Sequence, residues 1–476
     1  MGIKDRTTLD VEVRTAKLEA KEKELIANGV RFVQMEFIDI NGRVRGKLSP
    51  VQQAVSPGGF GVSSFIQAIL SGDNVCLSPY GNFDNGIPKL SVIPDPDTFR
   101  QWTWKPDTAS VLCELREENG DPARIDPRKM LKAAEEDFLS LGIEVKAALE
   151  YEFFLFHNND EAIRDGRYND LIPFGRSASV YNLATYPSFT GFAENLFDRS
   201  AALDLNIEAF HTEYGEGMYE YVHGVSSALA AADSAARGKL HIKQLAQMHG
   251  LVATYMPAIG RLESDTASGA HHNISLWRDG RNLMWDEESR GLTTIARQFA
   301  AGVLDALPDL HLIFRPWVNS YRRMDRWHFS PENASWGLDH HTAALRVIHG
   351  AVPPRYSRIE VRVPGADVNP HLTLAALLLS GLRGIRREME PPPYVQGDPV
   401  DNKGGEMFPR TYRESIDRFE KSLLAREILG DEFVSLFALT RKSELEAFEA
   451  WCVESSVDPQ ATSVTAWEKD HYFEWV

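Results

Sequence analysis

Leu149-Glu150-Tyr151-Glu152-Phe153-Phe154-Leu155-Phe156 is the stretch on which the fold turns. Period-two alternation puts Glu150 and Glu152 on one face of a strand running from Val145 to Phe156, among large apolar neighbours. Two carboxylates so placed mean either an exposed strand edge or a metal or acid–base site, and the pair alone leaves both open. Before it, Pro127 opens a helix that reaches Leu141 and stops at Gly142. After it, helices and strands alternate to the end, so residues 121–476 read as an α+β body. Glu390 to Phe408, with its prolines and glycines, reads as a long surface excursion.

Residues 1–120 read as a separate, smaller unit. Val11 to Ala27 has helical spacing and stops at Asn28-Gly29. Val30 to Asp39 is strand-like, and Asn41-Gly42 signals a hairpin into Val44-Arg45-Gly46-Lys47. Turn formers crowd Ser56 to Gly61 and Ser78 to Pro96, a strand resumes at Val111 to Leu115, and Asn119-Gly120-Asp121-Pro122 marks the boundary.

With 476 residues, 43% hydrophobic and 25% charged, the chain can bury a full core. A net charge of −17 argues against nucleic acid or anionic membranes as partners. Cys76, Cys113 and Cys452 are widely spaced, which fits a reducing cytoplasm rather than a disulfide framework or a cysteine zinc site. The longest apolar run, Leu372 to Leu382, is about half the ~20 residues that span a bilayer, and no apolar signal core opens the chain.

Three more segments carry chemistry. In Ile207 to Val222, Glu208, Glu213 and Glu220 surround a Gly215-Glu216-Gly217 turn that can aim Glu213 and Glu220 into one cavity, where magnesium or manganese would relieve their repulsion; a solvated acidic loop explains the segment equally. In Ser268 to Trp277, His271, Asn273 and Ser275 share one strand face, and His272 lies on the other in a structural role. In Arg358-Ile359-Glu360-Val361-Arg362, two guanidiniums flank a carboxylate on one face, a row suited to phosphate oxygens and a metal-held glutamate, or to a structural ion-pair ladder. Arg322, Arg323, Arg346 and Arg355 add positive charge in the same region.

In this order the segments resemble the glutamine synthetase family, from the FIDINGRVRGK hairpin through LEYEFFLF, EYGEGMYEYV, SGAHHNISL and NSYRR to RIEVRVPGADVNPHLTLAALLLSGLRGI. The resemblance implies a small β-grasp N-terminal domain and a catalytic domain with a curved antiparallel sheet and flanking helices. It implies a homo-oligomer, a stacked-ring dodecamer, whose active sites are completed by the neighbouring N-terminal domain. It assigns Glu152, Glu213 and Glu220 to one Mg2+ or Mn2+ and Glu150, His271 and Glu360 to a second. Glu208, Asn273, Ser275 and Arg358 would contact ATP, Arg323, Arg362 and Gly269 would hold glutamate, and Arg346, Arg355 and Arg358 would act on the transferring phosphate. The implied reaction passes through γ-glutamyl phosphate, which an amine then cleaves.

Two departures redirect the amine. Where the family carries an ammonium-binding aspartate, Phe60-Gly61-Val62-Ser63-Ser64 has glycine, and the position of the flap glutamate is Phe329. Ammonium needs negative charge and a base, so a neutral aromatic amine such as aniline is the expected acceptor, seated by Gly61, Ser64, Phe65, Trp327 and Phe329. Asp325 and Glu332 are candidate replacement bases, and the family's N-G-S-G loop reads Thr266-Ala267-Ser268-Gly269. The resemblance is closest to γ-glutamylanilide and γ-glutamylalkylamide synthetases. The alternatives are an ammonia-using glutamine synthetase, a ligase for an alkylamine or polyamine, and an inactive structural homologue.

Overall fold

Val145, Ala147, Leu149, Tyr151 and Phe153 are buried on one face of strand Glu144–His157, while Lys146, Ala148, Glu150 and Glu152 line the other, half-buried. The computed structural model that shows this describes residues 3–175, 179–260, 266–324, 329–349, 356–402 and 404–476.

Six strands form a first sheet: β1 Phe32–Ile38, β2 Val44–Pro50, β3 Phe60–Ser63, β4 Lys89–Pro94, β5 Arg100–Gln101 and β6 Thr108–Arg116. Their order is β2-β1-β6-β4-β3, with β5 against β6 and β1 parallel to β6, a β-grasp arrangement. Gly42, at φ +83°, turns the β1–β2 hairpin where Asn41-Gly42 predicts it. The first helix, Ile3–Ala27, buries Leu18 and Leu25 against this sheet's own core.

The second sheet carries the site. Its strands are β7 Glu144–His157, β8 Ile207–Thr212, β9 Met218–His223, β10 Ser226–Ser227, β11 Leu251–Thr254, β12 Ala270–Arg278 and β13 Arg281–Asn282. A separate pair, β14 Trp285–Asp286 and β15 Gly291–Leu292, precedes its last three strands, β16 Trp336–Leu338, β17 Leu345–Ile348 and β18 Arg358–Val361. The curved sheet runs β16-β17-β18-β12-β7-β9-β8, with β10 and β11 on β7 and β13 on β12. It departs from the antiparallel expectation at its edge, where β16 and β17 are parallel because residues 339–344 carry the chain back to the end at which β16 began.

Helices cover the apolar face. Leu372 to Leu382 lies within helix Pro370–Arg386 and is almost wholly buried. Gly302 and Gly384 let that helix approach Thr294–Ala306 closely, since a Cβ on Gly302 would lie 2.2 Å from the Ser380 carbonyl oxygen. Residues 390–402 and 404–408 form no regular element and run largely over the surface, as their prolines and glycines predict, anchored by Tyr394 against Trp336 and by buried Phe408. The three cysteines are free and buried, and no helix among the described residues is long and apolar enough to cross a membrane.

Candidate active site

Strand register assembles the site. On the face opposite the core, Arg346 stands across from Glu360, Glu360 across from Asn273, His271 across from Glu150, Glu152 across from Glu220, and Glu220 across from His211. Directly opposite residues have Cβ atoms about 4.5–5.5 Å apart, so this row places its functional groups within mutual reach.

The first cluster is Glu150, His271 and Glu360. Nδ1 of His271 lies 3.2 Å from Glu150 and 3.4 Å from Glu360. Burial, then the Arg362 charge, holds the imidazole well below its ordinary range, so it is neutral and available as a ligand. Asn273 donates to Glu150 at 2.9 Å and accepts from Arg358 Nε at 2.8 Å. Glu360 accepts from Arg362 at 2.5 Å and from Arg346 at 3.1 Å, and Arg346 also donates from Nε to Asp339 at 2.9 Å. Ser275 accepts from the Trp277 indole at 2.8 Å.

The second cluster is Glu213 and Glu220 with His211, whose Nε2 lies 3.2 Å from Glu220 and whose Nδ1 lies 3.5 Å from Glu213. Sequence reasoning missed His211, although His211 and Glu213 have the same two-residue spacing as Glu150 and Glu152. Burial and the charges of Glu152 and Glu220 push Glu213 up to about 7. Burial, then Glu152, Glu150 and Glu360, pushes Glu220 up to about 9. Glu152 is raised by burial too, and it accepts from the Gly269 amide. In each cluster of two carboxylates and an imidazole, the possible ligand atoms lie within 4.8 Å of one another. Oxygen-rich sites of crowded carboxylates fit hard divalent cations.

The raised values have a sign that can be tested. Without a cation, the folded state holds protons at Glu213 and Glu220 that the unfolded chain gives up near 4.5. The stability they contribute is full below that value and is lost as pH rises through about 7 and then about 9. A divalent cation replaces those protons, so the Tm gained on adding Mg2+ or Mn2+ to chelator-treated protein is expected to grow between about pH 6 and pH 8.5, with proton release in calorimetric titrations. Equal Tm gains at both pH values would contradict the assignment.

Arg323 and Arg362 are almost fully buried, and the Nε of each has no acceptor among the described residues. Burial lowers Arg323 to about 10, which leaves it charged at neutral pH. It packs against Gly269, where a Cβ would meet its Nη2 at 2.3 Å. Buried guanidinium donors without partners suit an anionic substrate.

The remaining predicted residues have the following surroundings. Glu208 is exposed at a bulge between Ile207 and Ala209. Arg322 is tied to Glu468 at 3.1 Å. His272 is fully buried in the core with Nε2 2.8 Å from the Thr373 hydroxyl. Glu332 pairs with Arg410 at 2.6 Å. Arg355, Trp327 and Asp325 lie outside the described residues. Gly61 does not open free space, because a Cβ there would lie 2.0 Å from Cε of Lys89, whose stem fills it. Phe329 is 46% exposed, and its ring stacks on Tyr214 with centroids 6.3 Å apart. Among the described residues no hydrogen bond or ring contact joins Gly61, Ser64 or Phe65 to Phe329 within one chain.

Two carboxylate–imidazole clusters able to hold cations, beside guanidiniums on the polar face of a curved sheet, suit phosphoryl transfer. Residues 124–459 match the glutamine synthetase catalytic domain. A γ-glutamylethanolamide synthetase of Streptomyces coelicolor is 31% identical over 481 residues, covering 98% of each chain. A glutamate–isopropylamine ligase of a Pseudomonas species is 30% identical over 426 residues, covering 88% of this chain and 92% of that one. Glutamine synthetases match at 30–31% identity as well. The solved structure titled "Apo GmaS without ligand" superposes with a TM-score of 0.75 at 25% identity, over 93% of this chain and 96% of that one. The chain belongs to the glutamine synthetase family and is an ATP-dependent carboxylate–amine ligase.

Proposed function

We propose that this enzyme joins the γ-carboxylate of glutamate to an organic amine, with an aromatic amine such as aniline as preferred acceptor. The observation that carries the reading is Phe329, a half-exposed aromatic ring that the resemblance matches to the family's flap glutamate. The named activities of the ethanolamide synthetase and the isopropylamine ligase support an organic acceptor.

In this reading Arg323 and Arg362 hold the glutamate carboxylate through their unpartnered donors, with Gly269 clearing room for Arg323. Glu208, Asn273, Ser275 and Arg358 bind ATP, and Arg346 with Arg355 neutralises the moving phosphoryl group. Two divalent cations, Mg2+ or Mn2+, held by Glu150, His271 and Glu360 and by Glu152, Glu213 and Glu220, supply further positive charge to the phosphate oxygens when bound. The γ-carboxylate oxygen bonds to the γ-phosphorus as ADP leaves; the amine nitrogen then bonds to the acyl carbon, phosphate leaves and the nitrogen loses a proton. Asp339 holds Arg346 while Glu360 shares it, which fixes the guanidinium before phosphate arrives.

The reading extends to a division of the chain at residue 120, a stacked-ring dodecamer with shared active sites, and a cytoplasmic location. Sharing would bring Gly61, Ser64 and Phe65 of a neighbouring subunit to Phe329. The test is phosphate release from ATP with Mg2+ and glutamate in the presence of ammonium, methylamine, ethanolamine, isopropylamine, a polyamine or aniline, with product masses measured. Turnover with aniline and little with ammonium is the expected result. Ammonium as best acceptor would make this an ordinary glutamine synthetase.

A further inference from the structure

We propose that Tyr214, paired with Phe329, is the seat for the amine's organic group and the residue that favours a flat aromatic acceptor; this rests on the organic-amine reading above. Tyr214 follows the cation ligand Glu213 directly, and its amide donates to the Glu213 carboxylate at 3.3 Å. Its side chain is 59% exposed. The rings of Tyr214 and Phe329, from distant parts of the chain, lie 6.3 Å apart between centroids with 29° between their planes. Single exposed aromatics are ordinary, but two held face to face beside a carboxylate cluster leave a large apolar surface in water.

The surroundings fix the pair in place. Behind Tyr214, a Cβ on Gly215 would lie 2.5 Å from Cγ2 of Thr266 and 3.0 Å from Cβ of Met218, so the turn packs tightly against the loop that leads to Gly269. Gly269 in turn bears on Arg323. Tyr214 therefore stands between the cation ligands and the loop beside the proposed glutamate arginine. Phe329 is held at φ +51°, a left-handed conformation that a bulky residue keeps only where its surroundings impose it. At that separation and tilt the rings lie side by side without covering each other, which leaves ring faces open to a third, flat ring. An arylamine extends that stack, an alkylamine gains only apolar contact, and ammonium gains nothing.

The experiment compares the unmodified enzyme with Tyr214→Ala, Tyr214→Leu and Tyr214→Phe, using aniline, isopropylamine and ammonium at saturating Mg-ATP and glutamate. Tyr214→Ala is expected to lower kcat/KM for aniline by about tenfold or more, mostly through KM, with about threefold or less for isopropylamine. Tyr214→Phe is expected to restore aniline use, and KM for ATP and glutamate to stay within about twofold, which a merely structural role would not allow. An aniline-to-isopropylamine ratio unchanged in both Tyr214→Ala and Tyr214→Leu overturns the assignment while leaving the organic-amine reading intact. An equal loss with all three acceptors, accompanied by a higher glutamate KM, overturns it too. Use of ammonium alone by the unmodified enzyme removes the underlying reading and this inference with it.

Discussion

Glu360→Gln is expected to lower kcat/KM by about a thousandfold, or ~4 kcal/mol, while the protein still folds. Glu360 is 2% exposed and is the point where three functions meet: it accepts from Arg346 and Arg362 and lies 3.4 Å from His271. The amide keeps the side chain's shape but removes the one negative charge that, among the described residues, accepts from both guanidiniums. Arg346 and Arg362 then repel each other, and the first cluster loses one of its two carboxylates. Removal of a single preorganised charge-stabilising group typically costs about 10²–10³ in rate, and a weakened cation site adds to that. Two measurements check this: steady-state rates with ATP, glutamate and the best amine, and titration with Mn2+, in which one of two binding events should weaken. Full activity with two intact binding events would remove Glu360 from the site.

The carboxylate row is legible because a strand has period two. Once Glu150 and Glu152 share a face, any partner strand in register must present its own alternate residues to that face, and His271, Asn273, Ser275, Arg358, Glu360 and Arg362 all carry the matching alternation. What local pattern does not carry is which residue fills a space from another strand. Lys89, from β4, occupies the room beside Gly61, because β3 and β4 pair with Gly61 opposite Ser91 and the lysine stem lies across it. Asp339, which pins Arg346, comes from a turn with no motif around it. His211 has a readable spacing, but the carboxylates of Glu213 and Glu220 explain a cation site without it. Glu332, a candidate replacement base by sequence, is engaged by Arg410. In each case the deciding contact joins segments distant in sequence, where only the packed structure assigns neighbours.

Phe329→Glu is expected to shift the kcat/KM ratio of ammonium to aniline by about 10²–10³ towards ammonium. The backbone tolerates the exchange, since residue 329 sits at φ +51° and neither side chain is β-branched, so no new strain arises there. The carboxylate adds a charge-assisted hydrogen-bond acceptor for ammonium, worth about 1.5–3 kcal/mol, and a group able to take its proton. The same exchange removes the ring that stacks on Tyr214 and with it about 0.5–1.5 kcal/mol of aromatic contact beyond burial. Gly61→Asp alone is expected to do much less, because its new carboxylate would meet Lys89, whose Nζ lies 3.1 Å from the position of a Cβ at 61, and form an ion pair there. The double variant should therefore exceed Phe329→Glu only modestly. Acceptor competition between ammonium and aniline, with products resolved by mass, measures all three variants at once. If Phe329→Glu leaves the ratio unchanged, a carboxylate at position 329 is not what decides between ammonium and aniline.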